Sequence, residues 1–498
     1  MNLMMLLEMA SQGFGSRRGI ESEDTALSYE EIFRAAGAAA EEVRRSGAKH
    51  LALLDVSSPA VPVALFAAAW AGVPFVPLNY RLTGDELHAL LARIEPAYLV
   101  TEPERADTLR DRAAIVTTRQ DFLAAARNNP TPEPSWSMDP DEISILLFTS
   151  GTTGTPKAAV LRHKHLVSYI LGSVEFGAAA EDDAVLVSVP PYHIAGMASV
   201  LSSVYAGRRI VQLPNFDPAE WISLARDNAV SNAFVVPTML SRIVESLGDV
   251  DSADMPALRA LSYGGGKMPL AVIERAMALF PDTAFTNAYG LTETSSTVTL
   301  LGPDDHRTAV ASDDPAMRQR LVSVGRALPS IEIEIRNDEG EPLPPGERGE
   351  IHVRGEQVSG EYLGRGSVLA ADGWFPTRDG GWLDEEGYLF LEGRVDDVIV
   401  RGGENLSPGE IEDVLLEHPA VADAAVVGIP DEEWGEAVAA AIALKPGQQV
   451  TEAELQELVR QQLRSSRVPT RIVFKDELPY NETGKLLRRI VRAEFAQA

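Results

Sequence analysis

The feature that most constrains the fold of this chain is a repeated alternation of short apolar runs with helix-length stretches. Runs of strand character lie at residues 51–56, 75–78, 97–100, 184–189, 209–213, 233–236, 260–263 and 284–287. Helical patterns fall between them, through Phe33 and Ala40 and at 64–70, 219–228, 239–247 and 271–280. Ser28 with Glu31, and Thr83 with Glu86, have the three-residue spacing of a capping box, in which a hydroxyl and a carboxylate each satisfy a free amide at a helix start. Strand–helix–strand order repeated in this way predicts an α/β chain of mostly parallel sheets covered by helices.

The pattern then changes. Residues 331–335 and 350–353 alternate apolar and polar with period two, which predicts a small antiparallel β subdomain with one wet face. Two more short strands are expected within 388–400, and a mixed pattern follows: helix 408–417, strands 424–427 and 438–443, helix 452–463, strand 471–474. At 498 residues, two to three domains are expected. The boundary is predicted near Asp396, giving a large N-terminal domain, 1–395, that includes the β subdomain, and a small α+β C-terminal domain, 396–498.

Charge and composition narrow the partners. A net charge of −29 argues against nonspecific binding to nucleic acid or to anionic membrane, and requires that any anionic substrate meet a local basic cluster. The absence of cysteine excludes disulfides, thiolate metal sites and cysteine nucleophiles. The start, Met1 to Glu8, is apolar but brief and lacks a basic region, so it reads as an amphipathic helix rather than a signal peptide. No apolar run is long enough to span a bilayer, and a cytoplasmic protein without stable membrane insertion is expected.

Four segments carry chemistry. The first is Thr149-Ser150-Gly151-Thr152-Thr153-Gly154-Thr155-Pro156-Lys157, entered from the strand-like run 143–148. Five hydroxyls, two glycines and a lysine after a strand suit a loop that cradles phosphate, although the Walker A spacing is absent. The second is Asn287-Ala288-Tyr289-Gly290-Leu291-Thr292-Glu293, at the carboxyl end of a strand, where parallel sheets bind ligands. Gly264-Gly265-Gly266 marks another close backbone approach nearby. The third runs from Thr377 to Arg394 and contains Asp379, a carboxylate able to accept both hydroxyls of a ribose. The fourth, residues 479–488, holds Lys485 on a glycine-containing loop. Taken singly, the second is an ordinary turn, Arg394 a surface ion pair and Lys485 a solvated charge.

Together, in this order and at these separations, the four segments resemble the AMP-forming adenylating enzymes: acyl-CoA synthetases, luciferases and the adenylation domains of peptide synthetases. The resemblance covers nearly the whole chain. It implies that Thr149, Ser150, Gly151, Thr152, Thr153, Gly154 and Lys157 hold the phosphates of ATP, and that Gly264, Gly265, Asn287, Ala288, Tyr289 and Gly290 border the nucleotide. It assigns Thr292 and Glu293 to the phosphate and its Mg²⁺, Asp379 and Arg394 to the ribose, Asp396 to a hinge and Lys485 to catalysis of adenylation. Gly402, Gly403, Glu404 and Asn405 match the loop lining the pantetheine tunnel of the acyl-CoA synthetases. One departure stands out: Arg378 replaces the glycine of the family's Thr-Gly-Asp. The stretch 361–372 departs from the family's Tyr-x3-Pro-Glu pattern, and no role is carried over to it.

Pro190-Pro191-Tyr192-His193-Ile194-Ala195-Gly196 resembles a segment of the carboxylate–CoA ligases, which implies a role for His193 in catalysis or in gating the acyl pocket. The pocket is expected to be lined by His193, Val235, Val236, Thr238, Met239, Tyr263, Gly264 and Gly265. The expected activity is that of an ATP-dependent carboxylate–CoA ligase acting on a fatty or related apolar acid, with ATP, Mg²⁺ and CoA. The alternatives are an acyl-AMP ligase that loads a carrier protein and a non-catalytic nucleotide-binding homologue. No carrier domain follows Ala498, so a modular peptide synthetase is not expected. Nothing in the sequence fixes the oligomeric state.

Overall fold

The structure, a computed structural model, describes residues 1–22, 25–149, 156–402, 404–431, 433–481 and 486–497, without the side chains of Asn405 and Gln497. Four sheets organise these residues. The first has nine strands, and its inner six, Arg18–Glu21, Arg209–Gln212, Ala184–Val187, Asn232–Val235, Ala260–Gly264 and Ala284–Leu291, are parallel neighbours. In the second, of eight strands, Ile143–Thr149, Phe75–Pro77, His50–Leu54, Ala97–Thr101 and Ile115–Thr118 are parallel, and Lys157–Arg162 turns back antiparallel. The expected helix-covered, mostly parallel architecture is therefore the observed one.

The largest core cluster lies between these two sheets. Leu51, Leu53, Ile145 and Leu147 face it from one side and Val185, Val187 and Ile210 from the other, with helices Met4–Phe14, Tyr29–Ser46, Ala60–Ala71 and Ile194–Ala206 between them. Helix Ala60–Ala71 is buried from Ala60 to Trp70 because it has sheets or helices on every side, which is why its sequence has no polar face. Both outer faces are covered too, the nine-stranded sheet by Pro218–Asp227, Pro237–Leu247 and Leu270–Leu279.

The capping box at Ser28 forms: Glu31 donates its amide to Ser28 Oγ at 3.2 Å, and Ser28 donates its own to Glu31 Oε2 at 2.7 Å. The one expected at Thr83 does not. Thr83 precedes helix Gly84–Ala92, but its side chain makes no cap bond, and Gly84 enters with φ +57°, so the first turn is not presented to the hydroxyl as a capping box requires.

The period-two segments form a four-stranded antiparallel sheet, Glu332–Arg336, Gly349–Arg354, Phe375–Leu383 and Leu389–Arg394. The second short strand expected within 388–400, Ile399–Arg401, joins instead the fourth sheet, with Glu404–Leu406, Gly435–Leu444, Val421–Asp431 and Arg471–Lys475. Helices Pro408–Leu416 and Glu452–Gln462 cover one face of that sheet. Val491 and Phe495 of helix Arg488–Gln497 pack on the other.

Candidate active site

Strand Ala284–Leu291 carries Asn287, Ala288, Tyr289 and Gly290 to the carboxyl end of the nine-stranded sheet, and a turn of 3-10 helix, Thr292–Thr294, follows. Its neighbours approach closely. A Cβ on Gly264 would lie 2.0 Å from the Ala288 carbonyl oxygen, and one on Gly290 1.8 Å from that of Ser296, so any side chain there forces the strands apart. The buried Asn287 amide donates to the Ser323 carbonyl at 2.9 Å.

The Tyr289 hydroxyl donates to Asp379 Oδ2 at 2.7 Å, and Arg394 Nη1 donates to Asp379 Oδ1 at 2.8 Å. Asp379 and Arg394 are register partners on strands Phe375–Leu383 and Leu389–Arg394, so the nine- and four-stranded sheets meet at one carboxylate. Burial, and then the charge of Asp379, pushes the Tyr289 phenol well above its ordinary pKa and keeps it a donor. A carboxylate offers about four lone-pair positions. The two protein donors take one on each oxygen, which leaves acceptors for a vicinal diol.

Glu293 is the second polar centre, 9% exposed. Its Oε1 accepts a hydrogen bond from the Tyr362 hydroxyl at 2.6 Å, and its backbone carbonyl accepts from Ser359 at 2.8 Å and from Gly360 at 3.3 Å. Lys157 Nζ lies 5.5 Å from the centre of the Tyr362 ring. Thr149 and Lys157 pair across the two antiparallel strands that flank the hydroxyl loop, with Thr149 Oγ1 donating to the Lys157 carbonyl at 3.4 Å. Ser150, Gly151, Thr152, Thr153 and Gly154 of that loop lie outside the described residues, as do Gly403 and Lys485.

Tyr362 has no counterpart among the sequence-derived candidates. It sits in a two-residue strand, Glu361–Tyr362, too short to show periodicity, and its partners are distant in sequence. In the structure Arg162 and Glu361 form a fork of hydrogen bonds at 2.9 and 2.7 Å that fastens this strand to Lys157–Arg162.

The expected apolar lining sits on neighbouring parallel strands, Asn232–Val235 and Ala260–Gly264, and on the helix that starts at Pro237. Val235 and Tyr263 are fully buried, Val236 and Met239 nearly so, and Thr238 half-buried. The Tyr263 hydroxyl is engaged inward by His306 Nε2 at 2.8 Å. Gly265, at φ +84°, is exposed at the strand end. His193 precedes helix Ile194–Ala206, its ring centre 4.5 Å from that of Tyr192. Its buried Nε2 has no hydrogen-bond partner among the described residues, and burial pushes its pKa down to about 3. The imidazole is thus neutral at neutral pH.

Residues 7–363 match the AMP-binding enzymes, and residues 410–485 match the C-terminal domain of AMP-binding enzymes. The chain belongs to the AMP-binding enzyme family. This AMP-binding enzyme is 34% identical over 490 residues to a fatty acid–[acyl-carrier-protein] ligase of Streptomyces coeruleorubidus, covering 95% of this chain and 92% of that one. It is 33% identical over 507 residues to a feruloyl-CoA synthase of an Amycolatopsis species, covering 98% and 100%. Among solved structures it is similar to ATP-bound MatB from Rhodopseudomonas palustris, with a TM-score of 0.88 at 27% identity over 99% of both chains. The o-succinylbenzoate CoA synthetase of Bacillus subtilis, in complex with its acyl-adenylate intermediate, superposes with a TM-score of 0.85 at 28% identity over 98% and 97%.

Where this AMP-binding enzyme passes from its four-stranded sheet to the C-terminal sheet, Arg378 and Asp396 are joined, Arg378 Nη2 donating to Asp396 Oδ1 at 2.5 Å. Arg378 adopts φ +63°, in the left-handed region, and its amide donates to Glu350 Oε1 at 3.0 Å. The conformation costs roughly 1–2 kcal/mol for a residue with a Cβ, and an exposed ion pair returns about 0–1 kcal/mol. Arg378→Gly is therefore expected to leave the melting temperature nearly unchanged and adenylation within about tenfold of the parent. Pyrophosphate release and a thermal melt measure both, and a loss of several orders of magnitude would mean that Arg378 touches substrate.

Further along, Gly402 takes φ +59° and donates to the Trp434 carbonyl at 2.7 Å, and a Cβ there would lie 2.8 Å from the indole. Glu404 accepts from Arg467 at 2.7 Å, and Asn405 pairs with Val400 through the backbone. The C-terminal sheet and its helices touch the rest of the AMP-binding enzyme through Lys267 with Asp413, and Ser407 Oγ with the Glu392 carbonyl at 3.1 Å. No helix among the described residues is long and apolar enough to cross a membrane.

Proposed function

We propose that this AMP-binding enzyme is an ATP-dependent carboxylate–CoA ligase that activates an apolar carboxylic acid in the cytoplasm. A carboxylate oxygen attacks the α-phosphorus of ATP, the bond to pyrophosphate breaks, and acyl-AMP forms. The CoA thiol then gives up its proton, its sulfur bonds to the acyl carbon, and AMP leaves. In this reading residues 1–395 bind ATP and the acid, and residues 396–498 bring Lys485 and the Gly402 loop to the site in turn by rotation about Asp396.

The observation that carries the reading is an oriented carboxylate with free lone pairs, Asp379, held by Tyr289 of the family-matched residues 7–363, together with a Lys157–Tyr362–Glu293 group inside those residues. Asp379 and Arg394 hold the ribose, and Lys157 and Thr292 meet the phosphates. Among the described residues no cluster of three metal-ligating side chains exists, so Glu293 is joined by at most one more such side chain. That donor set fits magnesium, which takes one or two carboxylates and completes its shell with phosphate oxygens and water. Magnesium held there neutralises charge on the phosphates. A neutral His193 and an expected lining of small and apolar side chains suit an uncharged acyl group, while the acids named for the relatives range from fatty acid and ferulate to the dicarboxylate 2-succinylbenzoate.

A second reading, transfer to a carrier protein, is favoured by the likeness to the Streptomyces acyl-carrier-protein ligase. A pyrophosphate-release screen over carboxylic acids, run with and without CoA, separates the readings. Acid-dependent pyrophosphate with acyl-CoA as product supports the ligase. Acyl-AMP that accumulates despite CoA supports the carrier reading, and no release with any acid defeats both.

A further inference from the structure

The segment 359–363 is laid across the site and tied down from several sides. The Ser359 and Gly360 amides donate to the Glu293 carbonyl, and Ser359 Oγ donates to the Val160 carbonyl. The Leu363 amide donates to the Ala158 carbonyl at 2.9 Å, and the Arg162 fork grips Glu361. These bonds leave Tyr362 little freedom. Its ring lies by the Lys157 ammonium and its hydroxyl reaches Glu293 Oε1 at 2.6 Å, so one side chain touches two charged groups that come from separate sheets. No other side chain among the described residues hydrogen-bonds the Glu293 carboxylate.

A carboxylate on a short turn can rotate about its own side-chain bonds, and the partner that stops it decides which oxygen faces a cation. We propose that Tyr362 is a positioning residue that occupies Oε1 of Glu293 and thereby presents Oε2 to a divalent cation beside Lys157. The inference rests on the reading of Glu293 as the carboxylate for that cation. Partners that orient a metal-binding side chain typically change metal affinity 10- to 100-fold, roughly, when removed. Tyr362→Phe keeps the ring by Lys157 and deletes only the hydroxyl.

The test is binding of Mn²⁺ to the ATP complex, followed by electron paramagnetic resonance without a carboxylic acid, so that no turnover occurs. Tyr362→Phe, Glu293→Gln and the double variant are compared with the parent, with a thermal melt on each. Tyr362→Phe is expected to melt like the parent, to bind metal-free ATP as the parent does, and to raise the Mn²⁺ dissociation constant about tenfold. Glu293→Gln is expected to weaken Mn²⁺ at least as much, and the double variant no further than Glu293→Gln. If Glu293→Gln weakens Mn²⁺ and Tyr362→Phe does not, or if the two losses add in full, the positioning role of Tyr362 is overturned. If Glu293→Gln leaves Mn²⁺ binding unchanged, the reading of Glu293 itself falls.

Discussion

Lys485→Ala is expected to slow acyl-adenylate formation about 100- to 1,000-fold while leaving thioester formation from supplied acyl-AMP and CoA near the parent rate. The reason is electrostatic. Negative charge builds on the phosphate oxygens as the carboxylate attacks, and a cation placed there in advance stabilises that charge without reorganising. In the proposed rotation the C-terminal residues carry Lys485 away before thioester formation, so the charge that the AMP phosphate takes up on leaving is met without it. Lys485 lies outside the described residues, as do residues 482–484, and the described residues on either side are tied together. Tyr480 pairs with Leu486, the Tyr480 hydroxyl donates to Asp423 at 2.8 Å, and the Leu487 amide donates to the Pro479 carbonyl at 2.8 Å. The substitution is therefore expected to leave the C-terminal sheet intact. Two single-turnover assays, one for each half-reaction, check it. Equal loss in both from a folded variant would rule out two alternating arrangements of the C-terminal residues.

Asp379→Ala is expected to weaken ATP binding by about 1.5–3 kcal/mol, which is on the order of 10- to 100-fold. Each carboxylate oxygen already accepts one bond from the protein, the Tyr289 hydroxyl on one side and Arg394 on the other, and this holds the remaining lone pairs in a fixed direction. The alanine variant loses the proposed acceptor for the ribose and the acceptor of the Tyr289 hydroxyl, while Arg394 Nη1 keeps the Thr377 carbonyl at 3.1 Å. Tyr289 is 8% exposed, so its hydroxyl is left in a place that water reaches poorly. A fall in melting temperature should therefore accompany the weaker binding, by roughly 1–3 kcal/mol of stability for an unsatisfied buried group. Calorimetric titration with ATP and a thermal melt read the two effects separately. Unchanged ATP affinity in the folded variant would show that the ribose does not sit at Asp379.

Local sequence determined the elements and most of their order. Runs such as 97–100 had to be strands between layers because they offer apolar side chains to both faces, and Ser28 with Glu31 could cap a helix from sequence-local groups alone. The chemical character of Asp379, Glu293 and Lys157 was legible for the same reason, since charge and lone pairs belong to the residue. What only the tertiary structure decided is which of these groups meet. Tyr289 and Asp379 are 90 residues apart, and Tyr362 and Glu293 are 69 apart. No periodicity encodes such a contact, because it depends on how two sheets stack rather than on either strand. The same holds for Thr83, where a left-handed glycine after the cap undoes a correct spacing. It holds for Arg378, whose backbone conformation and bond to Asp396 follow from where the antiparallel strands end. Propensity and pattern act over a few residues and so can be read along the chain, whereas the orientation of a carboxylate such as Asp379 or Glu293 is set by partners that only packing brings within hydrogen-bond reach.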